Sequence, residues 1–113
     1  MIFKANLDGS GFIVLHHFSD DSRDGIHPFG SLIFKGSLLV GMTYQGGSFG
    51  KGTIFKINMN GTGYAILHSF AGATSDGSFL ENSLILKNSI LYGTTVNGGA
   101  SSKGILFSLE TTK

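Results

Sequence analysis

Ile54-Phe55-Lys56-Ile57-Asn58-Met59-Asn60-Gly61-Thr62-Gly63-Tyr64 repeats, 52 residues on, the stretch Ile2-Phe3-Lys4-Ala5-Asn6-Leu7-Asp8-Gly9-Ser10-Gly11-Phe12. The offset holds without a gap along the chain. Asp24-Gly25 maps to Asp76-Gly77, Ser31-Leu32-Ile33 to Ser83-Leu84-Ile85, and Gly46-Gly47 to Gly98-Gly99. Aligning residues 1–52 with 53–104 position by position gives 23 identities in 52, far beyond chance. Residues 105–113 open a third copy. A sequence of this kind is read by its period before its elements.

Within a period the punctuation is regular. Residues 31–35, 38–44, 53–59 and 64–70 are short runs rich in β-branched and aromatic residues, each bounded by Gly, Asn or Ser. That is the signature of strands and turns, and no run has the length or spacing of a helix. Leu32-Ile33-Phe34 and Leu38-Leu39-Val40 are continuously apolar, which predicts a sheet covered on both faces. Four short antiparallel strands (A, B, C and D) in a unit of about 40–50 residues predict an all-β fold, the blade of a β-propeller. Asp8-Gly9 and Asn60-Gly61 are hairpin signals joining C to D. Read by blade, the chain runs C-D over 2–18, A-B-C-D over 31–70 and A-B-C over 83–109, about two blades in all.

Composition narrows the function classes. Lys and Arg number 8 and Asp and Glu 7 among 113 residues, a net charge of +1. Such a balance offers no clustered positive surface, so nucleic acid is not an expected partner. Cysteine is absent, which excludes a disulfide scaffold, a thiolate metal site and a cysteine nucleophile. No apolar run approaches the ~18 residues of a membrane span, so membrane insertion is not expected. The start, Met1 to Gly9, reads as a strand and turn and lacks the basic and apolar regions of a signal peptide.

Lys51-Gly52-Thr53-Ile54-Phe55-Lys56-Ile57-Asn58, then Gly61-Thr62-Gly63-Tyr64-Ala65-Ile66-Leu67-His68-Ser69-Phe70, and Ile90-Leu91-Tyr92-Gly93-Thr94-Thr95-Val96-Asn97-Gly98-Gly99, resemble the GloVer tandem repeat. The likeness covers essentially the whole chain. It implies a bacterial surface or secreted setting and a propeller distantly like kelch. Departures are Val40-Gly41-Met42 where the pattern prefers Tyr-Gly-Thr, Leu80 opposite Pro28, and a last segment, Phe107 to Lys113, that loses the Asn-x-Asp-Gly turn.

A repeat buries its apolar face only against a neighbour, and about three units are needed for stability. Two blades leave two bare flanks, so the expected partner is the chain itself. Strands A-B of one copy pair with C-D of the next, and three or four chains close a homotrimeric or homotetrameric ring of six or eight blades. Residues 105–113 then repeat a strand C already supplied by residues 2–9, so one of the two is displaced or added outside. The alternative is a piece of a larger secreted propeller enzyme or surface protein.

Candidate site residues lie on the long connections, B–C (45–52, 97–104) and D–A (19–30, 71–82), which emerge on one side of a meander. Aromatics Phe29, Tyr44, Phe49 and Phe79 on that long-loop face, with Asp24, Asp76 and Asn97, suit stacking and hydrogen bonding to a sugar. A lectin-like ring, with carbohydrate as partner, is therefore the second reading, behind a non-enzymatic scaffold or interaction surface. His16 and His68 recur but fall in the outer D strands, where structural hydrogen bonding outweighs metal or base chemistry. Asp20 to Gly25 resembles a calcium loop only slightly, lacking its closing Glu. The glycine-rich 46–52 segment precedes a strand rather than a helix, which rejects a phosphate loop. Thr43, Thr94 and Thr95 end the B strands, where hydroxyls could line a channel. Gly41 and Gly93 inside strands predict close backbone approach. Phe3, Phe18, Phe55, Phe70 and Phe107 are expected core. No acid, base and nucleophile set appears, so neither an enzyme nor a cofactor or metal is expected.

Overall fold

A computed structural model describes residues 1–18, 24–72, 77–80, 84–100 and 103–110, with the side chains of 29–31, 79 and 80 excepted. Among the described residues every regular element is a strand: β1 (Ile2–Lys4), β2 (Ile13–His16), β3 (Gly25–Lys35), β4 (Leu38–Gly46), β5 (Thr53–Asn58), β6 (Ala65–Ser69), β7 (Gly77–Leu80), β8 (Ile85–Lys87), β9 (Ile90–Gly98) and β10 (Leu106–Glu110). They form three antiparallel sheets: β1-β2, then β3-β4-β5-β6, then β9 flanked by β10 and by β7 and β8. The expected order of C-D, A-B-C-D and A-B-C is thus the observed order of strands. The sheets do not close into a barrel.

Local chemistry repeats with the sequence. In the first C–D turn Ser10 N and Oγ both donate to Asp8 Oδ1, at 3.0 and 2.6 Å, and Asn6 Nδ2 donates to Ser10 Oγ at 3.1 Å. In the second, Thr62 N and Oγ1 donate to Asn60 Oδ1 at 3.0 and 2.6 Å, and Asn58 Nδ2 donates to Thr62 Oγ1 at 3.1 Å. These side-chain bonds replace backbone partners that a tight turn cannot supply. The bonds from the Ser10 hydroxyl and then its amide hold the Asp8 carboxyl below its ordinary range. A register shift follows Ile2 in β1 and Ile54 in β5, its counterpart.

Two connections are shorter than the sequence suggests. β3 begins at Gly25 and β7 covers Gly77–Leu80, so much of the expected D–A loops at 19–30 and 71–82 is strand. The cause is pairing: Gly25 lies opposite Gly46, and Gly77 opposite Gly98. β3 accommodates Pro28, opposite Thr43, because β3 is an edge strand of its sheet, and its register shifts further on, between Phe29 and Ile33. β4 likewise runs on past Tyr44 to Gly46, taking Gln45 and Gly46 from the expected B–C loop.

The sheets pack as three layers through two interfaces. Ile2, Leu15 and Phe18 of the first sheet meet Leu39, Phe55, Ile57, Tyr64 and Ile66 of the central one. The other face of the central sheet, with Val40, Met42, Ile54, Leu67 and Phe70, meets Leu84, Leu86, Leu91, Phe107 and Leu109. Ile54, Leu67 and Phe70 lie 52 positions after Ile2, Leu15 and Phe18, while Leu91, Phe107 and Leu109 lie 52 after Leu39, Phe55 and Ile57. One interface is therefore built twice. Phe55 and Phe70 are buried, as the core reading expects. Phe3 is 55% exposed, against that reading, because its face of the first sheet has no neighbour.

Gly41 and Gly93 are where side chains of the same sheet lie across a strand, Phe55 from opposite Gly41 and Phe107 from opposite Gly93. A Cβ on Gly41 would sit 2.6 Å from Phe55 Cζ and 2.7 Å from Leu32 Cδ2, and one on Gly93 equally near Phe107 and Leu84. Overpacking a filled core costs about 1–3 kcal/mol. Gly41→Ala is expected to lower the unfolding free energy by an amount in that range, read from urea denaturation. Gly93→Ala loses less, because half-buried Phe107 has room to move where buried Phe55 has none.

Candidate functional site

Asp24 stands at the entry to β3, where three groups meet its carboxylate. Tyr64 Oη donates to its Oδ1 at 2.5 Å, its own next amide, Gly25 N, donates to the same oxygen at 2.8 Å, and His16 Nε2 lies 3.2 Å from Oδ2. The His16 and Tyr64 rings stack with centroids 3.6 Å apart and planes 13° apart. Phe18 meets both rings edge-on. His16 belongs to β2 and Tyr64 precedes β6, so this cluster clasps the first sheet to the central one. The expectation that His16 is a hydrogen-bonded structural side chain agrees with this geometry.

Burial first, then the hydrogen bond to Asp24 and its negative charge, push the Tyr64 phenol well above its ordinary 10.0. The phenol stays neutral and acts as a donor, which suits a clamp. The Tyr64–Asp24 bond spans 40 residues and escaped the sequence reading. The available signal was the aromatic that opens each D strand, Phe12 and then Tyr64, only the second of which has a hydroxyl.

The remaining candidates divide. Phe49 sits on the loop between β4 and β5 and is 58% exposed. That loop is held down by Gly47 N donating to Asp24 O at 2.6 Å, Gly52 N to Gly46 O at 3.0 Å, and Ser48 N to Ser69 Oγ at 3.4 Å. Tyr44 is half-buried in β4, and Asn97 is exposed in β9 opposite Ser78. Phe29 pairs with Met42 inside β3, not on a loop. Asp76 lies outside the described residues, as does most of the segment compared with a calcium loop. Asp24, Tyr44 and Phe49 share one end of the central sheet, and Asn97 holds the corresponding end of the third. The carboxylate of Asp24 is turned to Tyr64 and Gly25.

Of the threonines expected near a channel, Thr43 and Thr95 are buried and Thr94 is exposed. Thr43 Oγ1 is 2.8 Å from Thr53 Oγ1 and donates to Gln45 O at 2.9 Å, and Thr95 Oγ1 donates to Asn97 O at 2.9 Å. Each hydroxyl thus ties off a strand end. Among the described residues no three His, Asp or Glu side chains converge on a point that could hold a metal. No helix there is long and apolar enough to cross a membrane.

Three sheets, two interfaces related by the 52-residue offset and one turn made twice define an all-β tandem-repeat protein. The sequence profile of the Gloeobacter/Verrucomicrobia repeat matches residues 1–113, and the chain belongs to that family. No curated protein and no solved structure matches it.

The Tyr64 clamp makes a signed prediction. Above pH 10 the unfolded chain releases the Tyr64 proton and the folded chain keeps it, so stability falls as pH rises past that value. Tyr64→Phe is expected to cost about 1.5 kcal/mol at pH 8, the low end for a bond to a charged acceptor because the ring is half-buried. Urea unfolding between pH 8 and pH 11 should show the gap between the two proteins closing as pH rises.

Proposed function

We propose that this chain is a non-enzymatic β-propeller repeat module, an interaction scaffold whose copies assemble into a closed ring. The observation that carries the reading is the duplicated interface. It joins two unlike faces: one of the Ile54, Leu67, Phe70 type and one of the Leu39, Phe55, Ile57 type. The chain's two ends present one unmated face of each type. On the first sheet Phe3 and Phe12, counterparts of Phe55 and Tyr64, are 55% and 54% exposed. On the third, Ile85 and Tyr92, counterparts of Ile33 and Val40, are 67% and 41% exposed.

Each such side chain is worth about 1.5–3 kcal/mol when buried, and together they rival the ~5–15 kcal/mol of a whole domain. Unlike faces mate head to tail, and such contacts close into rings when the rotation permits. With two blades per chain, three copies make six and four make eight. The rigid sheets then carry the 47–52 loops, each with its exposed Phe49, around one rim, where a partner surface is recognised. The lectin reading retains Tyr44, Phe49 and Asn97 but loses the Asp24 carboxylate to Tyr64, so it stands second, to be tested on a glycan array.

Light scattering on chromatographed protein over a range of concentrations tests the assembly. The expected mass is three or four times the 11.9 kDa of one chain, whereas a stable monomer at micromolar concentration overturns the proposal. Ile85→Lys, at a site exposed in the single chain, is expected to return the mass to that of one chain without loss of strand content.

A further inference from the structure

β10 occupies a position that another segment of the same protein fits more fully. We infer that, on assembly, the β1–β2 hairpin of a second copy replaces β10 beside β9. This inference rests on the self-assembly reading and adds which strands meet.

β10 pairs with β9 through Leu106↔Thr94, Ser108↔Tyr92 and Glu110↔Ile90. In the complete central sheet β5 pairs with β4 in the same way, through Ile54↔Met42, Lys56↔Val40 and Asn58↔Leu38. β5 reads Ile-Phe-Lys-Ile-Asn. Residues 2–6 read Ile-Phe-Lys-Ala-Asn, but residues 106–110 read Leu-Phe-Ser-Leu-Glu. β1 also brings its own outer strand: Ile2↔His16 and Lys4↔Ile13 repeat Ile54↔His68 and Lys56↔Ala65. Among the described residues, β10 has no such strand on its second edge, and β1 has none on the edge that β5 gives to β4.

The space beneath β10 records what is missing. A cavity of about 210 Å³ is lined by Ile54, His68, Phe70, Phe107 and Leu109, and a second of about 490 Å³ by Ile66, Leu67, Leu109 and Glu110. Both lie between β6 and β10. One sheet earlier the corresponding region is occupied by Tyr64 and Ile66, packed with Leu15 and Phe18, with Tyr64 stacked on His16. Their counterparts on an incoming hairpin are Phe12 and Val14. Phe12 is thereby placed over His68 as Tyr64 is over His16.

The same step covers the other end. Leu32 and Phe34 on β3 are 42% and 70% exposed, while their counterparts Leu84 and Leu86 are packed with Ile33, Val40 and Met42. The hairpin covers only the β5–β6 half of that face. When the β1 edge takes up a second copy's β9, that copy's Ile85 and Tyr92 arrive over Leu32 and Phe34, as Ile33 and Val40 do over Leu84 and Leu86. Stacking two intact end sheets, with β10 retained, leaves Leu32 and Phe34 bare.

The absence of native cysteine makes disulfide trapping clean, since directly opposed antiparallel positions lie within disulfide reach. Full-length chains carrying Lys4→Cys with Tyr92→Cys, or Ser108→Cys with Tyr92→Cys, are oxidised gently and then weighed by light scattering and denaturing gel. The first pair is expected to give chains linked to one another. The second, locking β10 to β9, is expected to reduce the mass to one chain, and reduction to restore the assembly. A locked protein that keeps its full assembled mass overturns strand replacement, as does an assembled first variant with no link between chains. A wild-type monomer instead refutes the assembly reading itself.

Discussion

A β-sheet apolar on both faces is stable only between two neighbours, and this constraint organises the whole molecule. The central sheet meets it. Phe55 and Ile57 point one way and Ile54, Val40 and Met42 the other, and all are buried. Period-2 alternation sends successive residues of β5 to opposite faces, so a continuous apolar run is the sequence form of a sheet with no solvent side. Gly41 and Gly93 have no side chain where Phe55 and Phe107 of the adjoining strand lie across them.

Because the two interfaces are related by the 52-residue offset, the packing has a direction. Every sheet offers its Ile54-type face forward and its Phe55-type face backward. Such a stack has no internal stopping point, unlike a two-fold interface, which consumes itself. It ends by closing on itself or by meeting a different surface. The low charge of the chain, 13% of residues, provides little to keep bare end faces dispersed in water. The same directional packing links architecture to the proposed role. In the proposed ring it would set loops 47–52 of successive copies along one rim, held there by strand-end bonds such as Thr43 to Gln45.

Much of this was legible in the residues. The period, the strand order, the C–D turns and the doubly apolar central sheet follow from spacing and residue type alone, because turns and alternation are local. The misreadings are all long-range. Gly25 looks like a loop residue until it is seen opposite Gly46, with Thr53 Oγ1 2.8 Å from where its Cβ would be. Asp24 looks like a ligand-binding carboxylate, yet Tyr64, 40 residues away, is its partner. Phe3 looks like core because Phe55 is core. Its exposure reflects the missing neighbour rather than its own chemistry. Thr43 looks like a channel-lining strand end, yet its hydroxyl lies 2.8 Å from that of Thr53 and both residues are buried.

The central claim is that the end faces are folding surfaces left unmated in a single chain, so that stability depends on other copies. Thermal unfolding over a hundred-fold range of protein concentration measures this dependence directly, since binding to the folded state raises the midpoint by mass action. The account predicts a midpoint that climbs steadily with concentration, and a midpoint unchanged across that range would contradict it.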